Sequence, residues 1–272
     1  MRKVPWCWCG LQTDFFFFHF WKLLSFVLYC RDFNGDGHVD LFEITGTDFI
    51  ANMPNIDKYN VLYLNDGNGV FQQSQEGGDA TARSDESRGV VAGDFDGDGD
   101  VDIYVANRFQ NIENELLIND GFGSFTKVEG GDATKAANSA DSIVSCDIDG
   151  DGDLDFYIRV YDGLHFLLLN DGTGNFSRAN GDAIKDLSGS QDGQHATRPL
   201  CFDATGNGNM DLWASKKYLN LNTASFLATE ATKAEAGDLI EFSTKTRDVQ
   251  VLDADNDGDM VRQNLKKKGR PP

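Results

Sequence analysis

The residues of this 272-residue chain that could do chemistry are aspartates, grouped in short loops with a fixed spacing. The loop that begins at Asp94 reads DFDGDGDVD, so acids stand at its first, third, fifth, seventh and ninth positions. Carboxylates at that density repel one another unless a cation lies among them. A hard cation such as Ca²⁺ takes about six to eight oxygen ligands, which alternate side chains and one backbone carbonyl can supply. The spacing therefore predicts a calcium site in which ion binding and folding are coupled.

Five such loops, called loops 1 to 5 in chain order, recur at intervals of 62, 53, 56 and 50 residues. We predict that the side chains at positions one, three, five and nine bind the ion, together with the backbone carbonyl at position seven. The glycine at position six permits the chain to curl around the ion. In the first three loops the predicted ligands are Asp32, Asn34, Asp36, His38 and Asp40, then Asp94, Asp96, Asp98, Asp100 and Asp102, then Asp147, Asp149, Asp151, Asp153 and Asp155.

The last two loops depart from this pattern. Loop 4 offers Asp203, Thr205, Asn207, Asn209 and Asp211 and keeps only two carboxylates, so we expect a lower affinity for calcium. Loop 5 offers Asp253, Asp255 and Asp257, but Val261 stands where the ninth-position acid belongs. We expect loop 5 to bind calcium poorly.

Two other interpretations of the loops stay open at this point. Solvated Asp-Gly turns would need no ion, although five phased copies count against them. An EF-hand is the second alternative, because loop 1 fits that motif completely, with Glu43 at position twelve. The other four loops lack an acid there, and the apolar segments that flank loop 1 favour strands over the helices that an EF-hand requires.

Two further elements recur in phase with the loops. A hairpin signal, NDGxGxF preceded by Leu or Ile, follows each of the first three loops, and a worn copy follows the fourth. With that leading apolar residue, the four segments start at Leu64, Ile118, Leu169 and Leu219. A GGDAT-like element comes next, from Gly77, Gly130 and Asn180. With a short apolar segment before and after each loop, a unit of roughly fifty residues has about four strands. One such sheet cannot bury both faces alone, so the units must stack or pack radially.

The predicted fold is therefore all-β, a β-propeller-like array of about four to five four-stranded blades that need not be complete or closed. We assign residues 26–262 to the array, residues 1–25 to an apolar leader and residues 263–272 to a basic, solvated tail. The apolar run after Phe15 is either a targeting segment or a core strand with a disordered leader. As a membrane span it is short, because a span needs about 20 apolar residues.

Charge and cysteine content limit the classes of function that the sequence allows. The formal net charge of −20 argues against a protein that binds nucleic acid, which needs a basic surface. The five cysteines, an odd number without a zinc-type pair of C-x-x-C motifs, are Cys7, Cys9, Cys30, Cys146 and Cys201. We expect buried thiols rather than a disulfide framework.

The segment RGVVAGDFDGDGDVDIYVAN from Arg88, followed by LLINDGFGSF from Leu116, resembles the FG-GAP/VCBS repeats of integrin α-subunits and cartilage acidic protein. The resemblance extends from about Phe26 to Met260. It implies a β-propeller in which loop positions one, three, five and nine bind Ca²⁺. It also implies extracellular adhesion or ligand binding. Propellers of this family commonly have more blades than this chain can supply.

These observations lead us to expect a secreted or extracellular, non-catalytic module that calcium stabilises. Its partner would be an unknown protein or glycan, and it would contact a membrane only through the N-terminal segment. The alternative is a secreted polysaccharide-processing enzyme or its carbohydrate-binding accessory domain. The four histidines are scattered, and no nucleophile-base motif favours catalysis.

Overall fold

The structure is a computed structural model that describes residues 26–45, 59–82, 87–107, 112–135, 140–160, 165–179, 199–203, 208–214, 217–222 and 227–230. Within these ranges, sixteen strands form four sheets, and in each sheet four consecutive strands pair antiparallel. This confirms the predicted all-β array of four-stranded units, which we call blades 1 to 4. The proposed leader, the basic tail and loop 5 lie outside the described residues.

Blade 1 consists of β1 (Phe26–Arg31), β2 (Asp40–Thr45), β3 (Val61–Asn65) and β4 (Phe71–Gln73). Blade 2 consists of β5 (Ser87–Gly93), β6 (Asp102–Asn107), β7 (Glu115–Asn119) and β8 (Phe125–Lys127). Blade 3 consists of β9 (Ala140–Cys146), β10 (Asp155–Val160), β11 (Phe166–Asn170) and β12 (Phe176–Arg178). Blade 4 consists of β13 (Leu200–Phe202), β14 (Asp211–Ala214), β15 (Lys217–Asn222) and β16 (Leu227–Glu230).

In every blade the acidic loop joins the first two strands. In blades 1 to 3 the NDGxGxF hairpin joins the last two. Strands rather than helices flank loop 1, so the EF-hand interpretation is wrong. The first two GGDAT-like elements form short helical turns between blades, a 3₁₀ turn at Asp79–Thr81 and helix α1 at Gly131–Lys135. The third, from Asn180, lies outside the described residues. No helix in the described part of the chain has the length and apolarity needed to cross a membrane.

The blades pack face to face because their central strands are apolar on both sides. All six residues of β6 are buried. Successive side chains of a strand point to opposite faces. Ile103 and Val105 therefore join the core shared with blade 1, whereas Tyr104 and Ala106 join the core shared with blade 3.

Aromatic side chains from the acidic loops fill the space between neighbouring blades. Phe33, at position two of loop 1, lies 6.1 Å from the hairpin residue Phe125 of blade 2, measured between ring centroids. Phe95, at position two of loop 2, lies 6.4 Å from Phe176 of blade 3 in the same way. Such edge-on aromatic pairs add specific geometry to the apolar area that they bury. Loops 1 and 2 are thus each anchored by the blade that follows.

One cysteine prediction is wrong. Cys146 in β9 and Cys201 in β13 form a disulfide with a Cα–Cα distance of 6.4 Å, although 55 residues separate them in sequence. The first strands of blades 3 and 4 lie next to each other, which brings the two side chains within reach of a bridge. Cys30 is a buried thiol, as expected.

Candidate metal centres

The acidic loops curl around their first aspartate. The backbone N–H of the glycine at position six donates to that carboxylate in loops 1 to 4, from Gly37 to Asp32 at 2.7 Å, Gly99 to Asp94 at 3.0 Å, Gly152 to Asp147 at 3.2 Å and Gly208 to Asp203 at 2.7 Å. The φ angles of these glycines lie between 85° and 102°. Only glycine adopts such angles at little cost, and the sequence predicted this role for position six.

The curl brings carboxylates together in loops 2 and 3. Asp94, Asp96 and Asp102 each offer one oxygen, and these oxygens all lie within 4.8 Å of one another. Two ligands of one Ca²⁺ at 2.3–2.6 Å can be at most about 5 Å apart. The set of donors in loop 2 therefore fits a single calcium ion, whereas Asp98 lies outside the triplet.

Loop 3 also forms a triplet, from Asp147, Asp149 and Asp151. This triplet uses position five of the loop in place of position nine, so Asp155 lies outside it. In loop 1, position three is an amide. The Nδ2 group of Asn34 donates to Asp36 at 3.0 Å, and the Oδ1 atom of Asn34 accepts from the Asp36 backbone at 3.2 Å. Among its described acids, loop 1 forms no such triplet, so a neutral oxygen would have to complete its ligand set.

The acid at position nine of each described loop is buried. Asp40, Asp102, Asp155 and Asp211 are fully buried. Oδ1 of Asp102 accepts from the backbone N–H of Asn119 at 2.8 Å, and Oδ2 accepts from that of Phe95 at 2.9 Å. Loops 1 and 3 repeat both bonds at 2.8–3.0 Å, from Asn65 and Phe33 to Asp40 and from Asn170 and Ile148 to Asp155. Each carboxylate oxygen of Asp40 and Asp102 keeps a second lone pair for a metal ion, whereas Oδ2 of Asp155 also accepts from the backbone N–H of Asp149 at 3.4 Å.

Burial makes the charged form of these acids costly. It raises the pKa of Asp102 and of Asp155 from the ordinary 3.8 to about 7, although the two N–H donors of each acid oppose the shift. Negative charge on the neighbouring acids adds to the rise in pKa. Burial also raises the pKa of Asp40. A bound cation would offset the repulsion and favour the charged carboxylates.

The side chains at position seven lie against the hairpin of their own blade. Asp100 contacts Gly121, Asp153 contacts Gly172, and the ring of His38 contacts Gly67. Asn209 is half-buried at the corresponding place in loop 4. Ligation through the backbone carbonyl at this position stays a prediction.

The remaining predicted ligands are only partly described. In loop 4 the structure describes Asp203, Asn209 and Asp211. Thr205 and Asn207 lie outside the described residues, as do Asp253, Asp255 and Asp257 of loop 5. The reduced affinity of these two loops also stays a prediction.

Sequence reasoning missed the role of the hairpin asparagines. It assigned Asn119 to the turn, yet Asn119 is buried at the end of β7. Its Nδ2 group donates to the carbonyl oxygens of Phe33 in loop 1 and Val101 in loop 2, both at 2.9 Å. Asn170 bonds likewise to Phe95 of loop 2 and Leu154 of loop 3, at 2.9 and 3.3 Å. The signal was the constant phase of each hairpin relative to the loops.

Two solved structures resemble this chain at low identity. A lectin from Agrocybe aegerita that recognises non-reducing terminal N-acetylglucosamine is 22% identical and has a TM-score of 0.49, and the match covers 73% of this chain and 49% of the lectin. An exotype rhamnogalacturonan lyase is 12% identical with a TM-score of 0.44, and the match covers 80% of this chain and 42% of the lyase. This chain thus spans half or less of the length of either protein. No curated protein shows a significant sequence match to it.

The family comparison agrees with the repeats described above. A model of the FG-GAP-like repeat matches residues 32–105 and, in a second overlapping match, residues 94–158. These matches contain loops 1 to 3 and the hairpins of blades 1 and 2. The predicted resemblance to FG-GAP repeats is therefore confirmed over residues 32–158.

Proposed function

We propose that this chain is a non-catalytic, calcium-binding module that acts outside the cell in adhesion or ligand binding. The observation that carries the proposal is the convergence of three carboxylates in each of loops 2 and 3. Their spacing fits the coordination sphere of one Ca²⁺ in each loop. Mg²⁺ fits less well, because it demands a tight octahedron and keeps several waters.

Calcium would be structural rather than catalytic in this proposal. The loop side chains and the backbone carbonyl at position seven supply enough oxygens to surround the ion. The same residues hold the blade together, since Asp102 binds the backbone of its own loop and of β7. Binding of the ion would thus stabilise a blade directly. Each ion would also offset two of the formal negative charges in a chain whose net charge is −20.

The proposed extracellular location is supported by the Cys146–Cys201 disulfide. Disulfides persist in oxidising compartments and are rare in the cytosol. Calcium sites in extracellular modules also tolerate weak affinity, with dissociation constants of roughly 10⁻⁴ to 10⁻³ M. We therefore expect loops 2 and 3 to fill at the calcium concentrations found outside cells.

Two measurements on the purified full chain test this proposal. Equilibrium dialysis with calcium, followed by metal analysis, should find at least two ions per chain, and no uptake would contradict the proposal. A glycan panel should then be screened for binding and for turnover, with and without EDTA. Saturable binding without turnover agrees with the proposal, whereas turnover of a polysaccharide would support the enzyme alternative.

A further inference from the structure

We infer that the hairpin asparagines Asn119 and Asn170 couple calcium uptake at neighbouring loops, so that filling one loop raises the affinity of the next. The inference rests on the proposed calcium function. It concerns how the sites act on one another, which the ligand sets alone do not reveal.

The first link joins loops 1 and 2. The Nδ2 group of Asn119 donates one hydrogen bond to Phe33 in loop 1 and one to Val101 in loop 2. Asn119 is 4% exposed, so water cannot readily replace either bond. Its backbone N–H also binds Asp102, a member of the loop 2 triplet. One buried residue thus contacts the backbone of both loops and a candidate ligand of the second.

The second link repeats the first, one blade further along the chain. Asp102 accepts from the backbone N–H of Phe95, and the carbonyl oxygen of Phe95 accepts from Nδ2 of Asn170. The backbone N–H of Asn170 binds Asp155, which in turn accepts from Ile148 in loop 3. Hydrogen bonds of 2.8–2.9 Å therefore run without a break from loop 1 to loop 3.

The location of these bonds leads us to expect positive coupling between the loops. The residue at position two stands between the ligands at positions one and three, so a bound ion fixes both of its peptide groups. A fixed carbonyl at Phe33 orders Asn119 and, through it, Asp102 of loop 2. The second ion then meets a loop that has already lost part of its conformational freedom, and it binds more tightly. Couplings of this kind typically change affinity about 5- to 150-fold.

The chain provides a matched control in Asn65. This residue makes the same bonds within its own blade, from its backbone N–H to Asp40 and from Nδ2 to Val39. Among the described residues, no preceding loop accepts a further bond from Asn65. Asn65→Ala therefore removes only a side-chain bond within its own loop and keeps the backbone bond to Asp40, whereas Asn119→Ala and Asn170→Ala also remove a side-chain bond between loops.

Calcium titration by isothermal calorimetry, with the full chain, tests the coupling. The number of ions reports on the proposed function, and the steepness of uptake reports on this inference. For the wild type we expect at least two ions and a Hill coefficient above 1. Asn170→Ala, which removes the side-chain bond between the two loops that hold a carboxylate triplet, should keep the ion number and lower the coefficient toward 1, while Asn65→Ala should leave it unchanged. A wild-type coefficient of 1 with two or more ions would overturn the coupling alone, as would an equal loss in both variants.

A second variant keeps the test decisive if Asn170→Ala does not fold. Asp96→Asn weakens the ligand set of loop 2 without touching the hydrogen bonds between loops. With coupling, calcium uptake by the other loops should also weaken, by about fivefold or more. Unchanged affinity at the remaining sites would overturn the inference. A complete absence of uptake by the wild type would remove the proposed function and the coupling together.

Discussion

Gly97 in loop 2 lies so close to the hairpin of blade 3 that a Cβ on it would sit 2.7 Å from the carbonyl oxygen of Gly172. Gly35 of loop 1 has the same relationship to Gly121, at 3.2 Å. Position four of the loop is thus a place where two blades touch through their backbones. Glycine is needed at Gly97 for this approach as well as for its φ angle of 81°.

Gly97→Ala should therefore destabilise the protein more than Gly99→Ala. Both glycines have a positive φ, which costs an alanine about 1–2 kcal/mol. No atom of the described residues lies within 4 Å of a Cβ placed on Gly99, so only Gly97→Ala adds the steric overlap, worth a further ~1–3 kcal/mol. Urea unfolding of both variants measures the difference. Equal losses would show that the two blades can move apart freely.

The effect of pH on stability should reverse when calcium is added. The folded-state pKa of Asp102 and Asp155 is about 7, above the ordinary 3.8, so the folded protein binds these protons more tightly than the unfolded chain. Without metal, this contribution to stability is full below about pH 4 and is lost as the pH rises through about 7. With saturating calcium the charged acids are the binding form, and stability should rise over the same range.

Melting curves at pH 5 and pH 8, in chelator and in calcium, test this reversal. In chelator the melting temperature should be higher at pH 5. In calcium it should be higher at pH 8. The same pH order in both conditions would mean that the buried acids do not bind the ion.

The Cys146–Cys201 disulfide should stabilise the contact between blades 3 and 4. For a closed loop of about this length, chain entropy predicts a contribution of about 4 kcal/mol. The double variant Cys146→Ser/Cys201→Ser should melt at a lower temperature, and reductant should lower the melting temperature of the wild type but not of the variant. Cys30→Ser serves as a control for loss of a buried thiol. An unchanged melting temperature of the double variant would contradict the prediction.

The loops should differ in how much they contribute to stabilisation by calcium. Asp151 belongs to a convergent triplet, whereas Asp257 belongs to loop 5, which lacks the acid at position nine. Asp151→Ala should strongly reduce the increase in melting temperature that calcium produces. Asp257→Ala should reduce it little. A larger loss from Asp257→Ala would reverse the ranking of the loops.

The strands and the loop curl could be predicted from sequence because they depend on local patterns. Apolar alternation gave the strands that flank loop 1, and the phased repeats gave the four-stranded unit. The glycines at position six revealed the turn because few other residues adopt a positive φ. These features need only a few neighbouring residues, so one sequence is enough to find them.

Contacts between blades could not be predicted in the same way. The bond from Asn119 to Phe33 joins residues 86 positions apart. The disulfide joins residues 55 positions apart and depends on which strands of neighbouring blades are adjacent. The twofold use of Asp102, as a candidate ligand and as a backbone acceptor, appears only when the loop and the hairpin are seen together. Such features depend on packing, which periodicity does not specify.

Thermal melting of the full chain at increasing calcium concentration, with chelator as the reference, tests the central claim most directly. Because a ligand that binds only the folded state stabilises it in proportion to the logarithm of its excess, the melting temperature should rise steadily as calcium is added. Magnesium at the same concentration should have a smaller effect. Identical melting temperatures in chelator and in millimolar calcium would contradict the claim that these loops hold calcium.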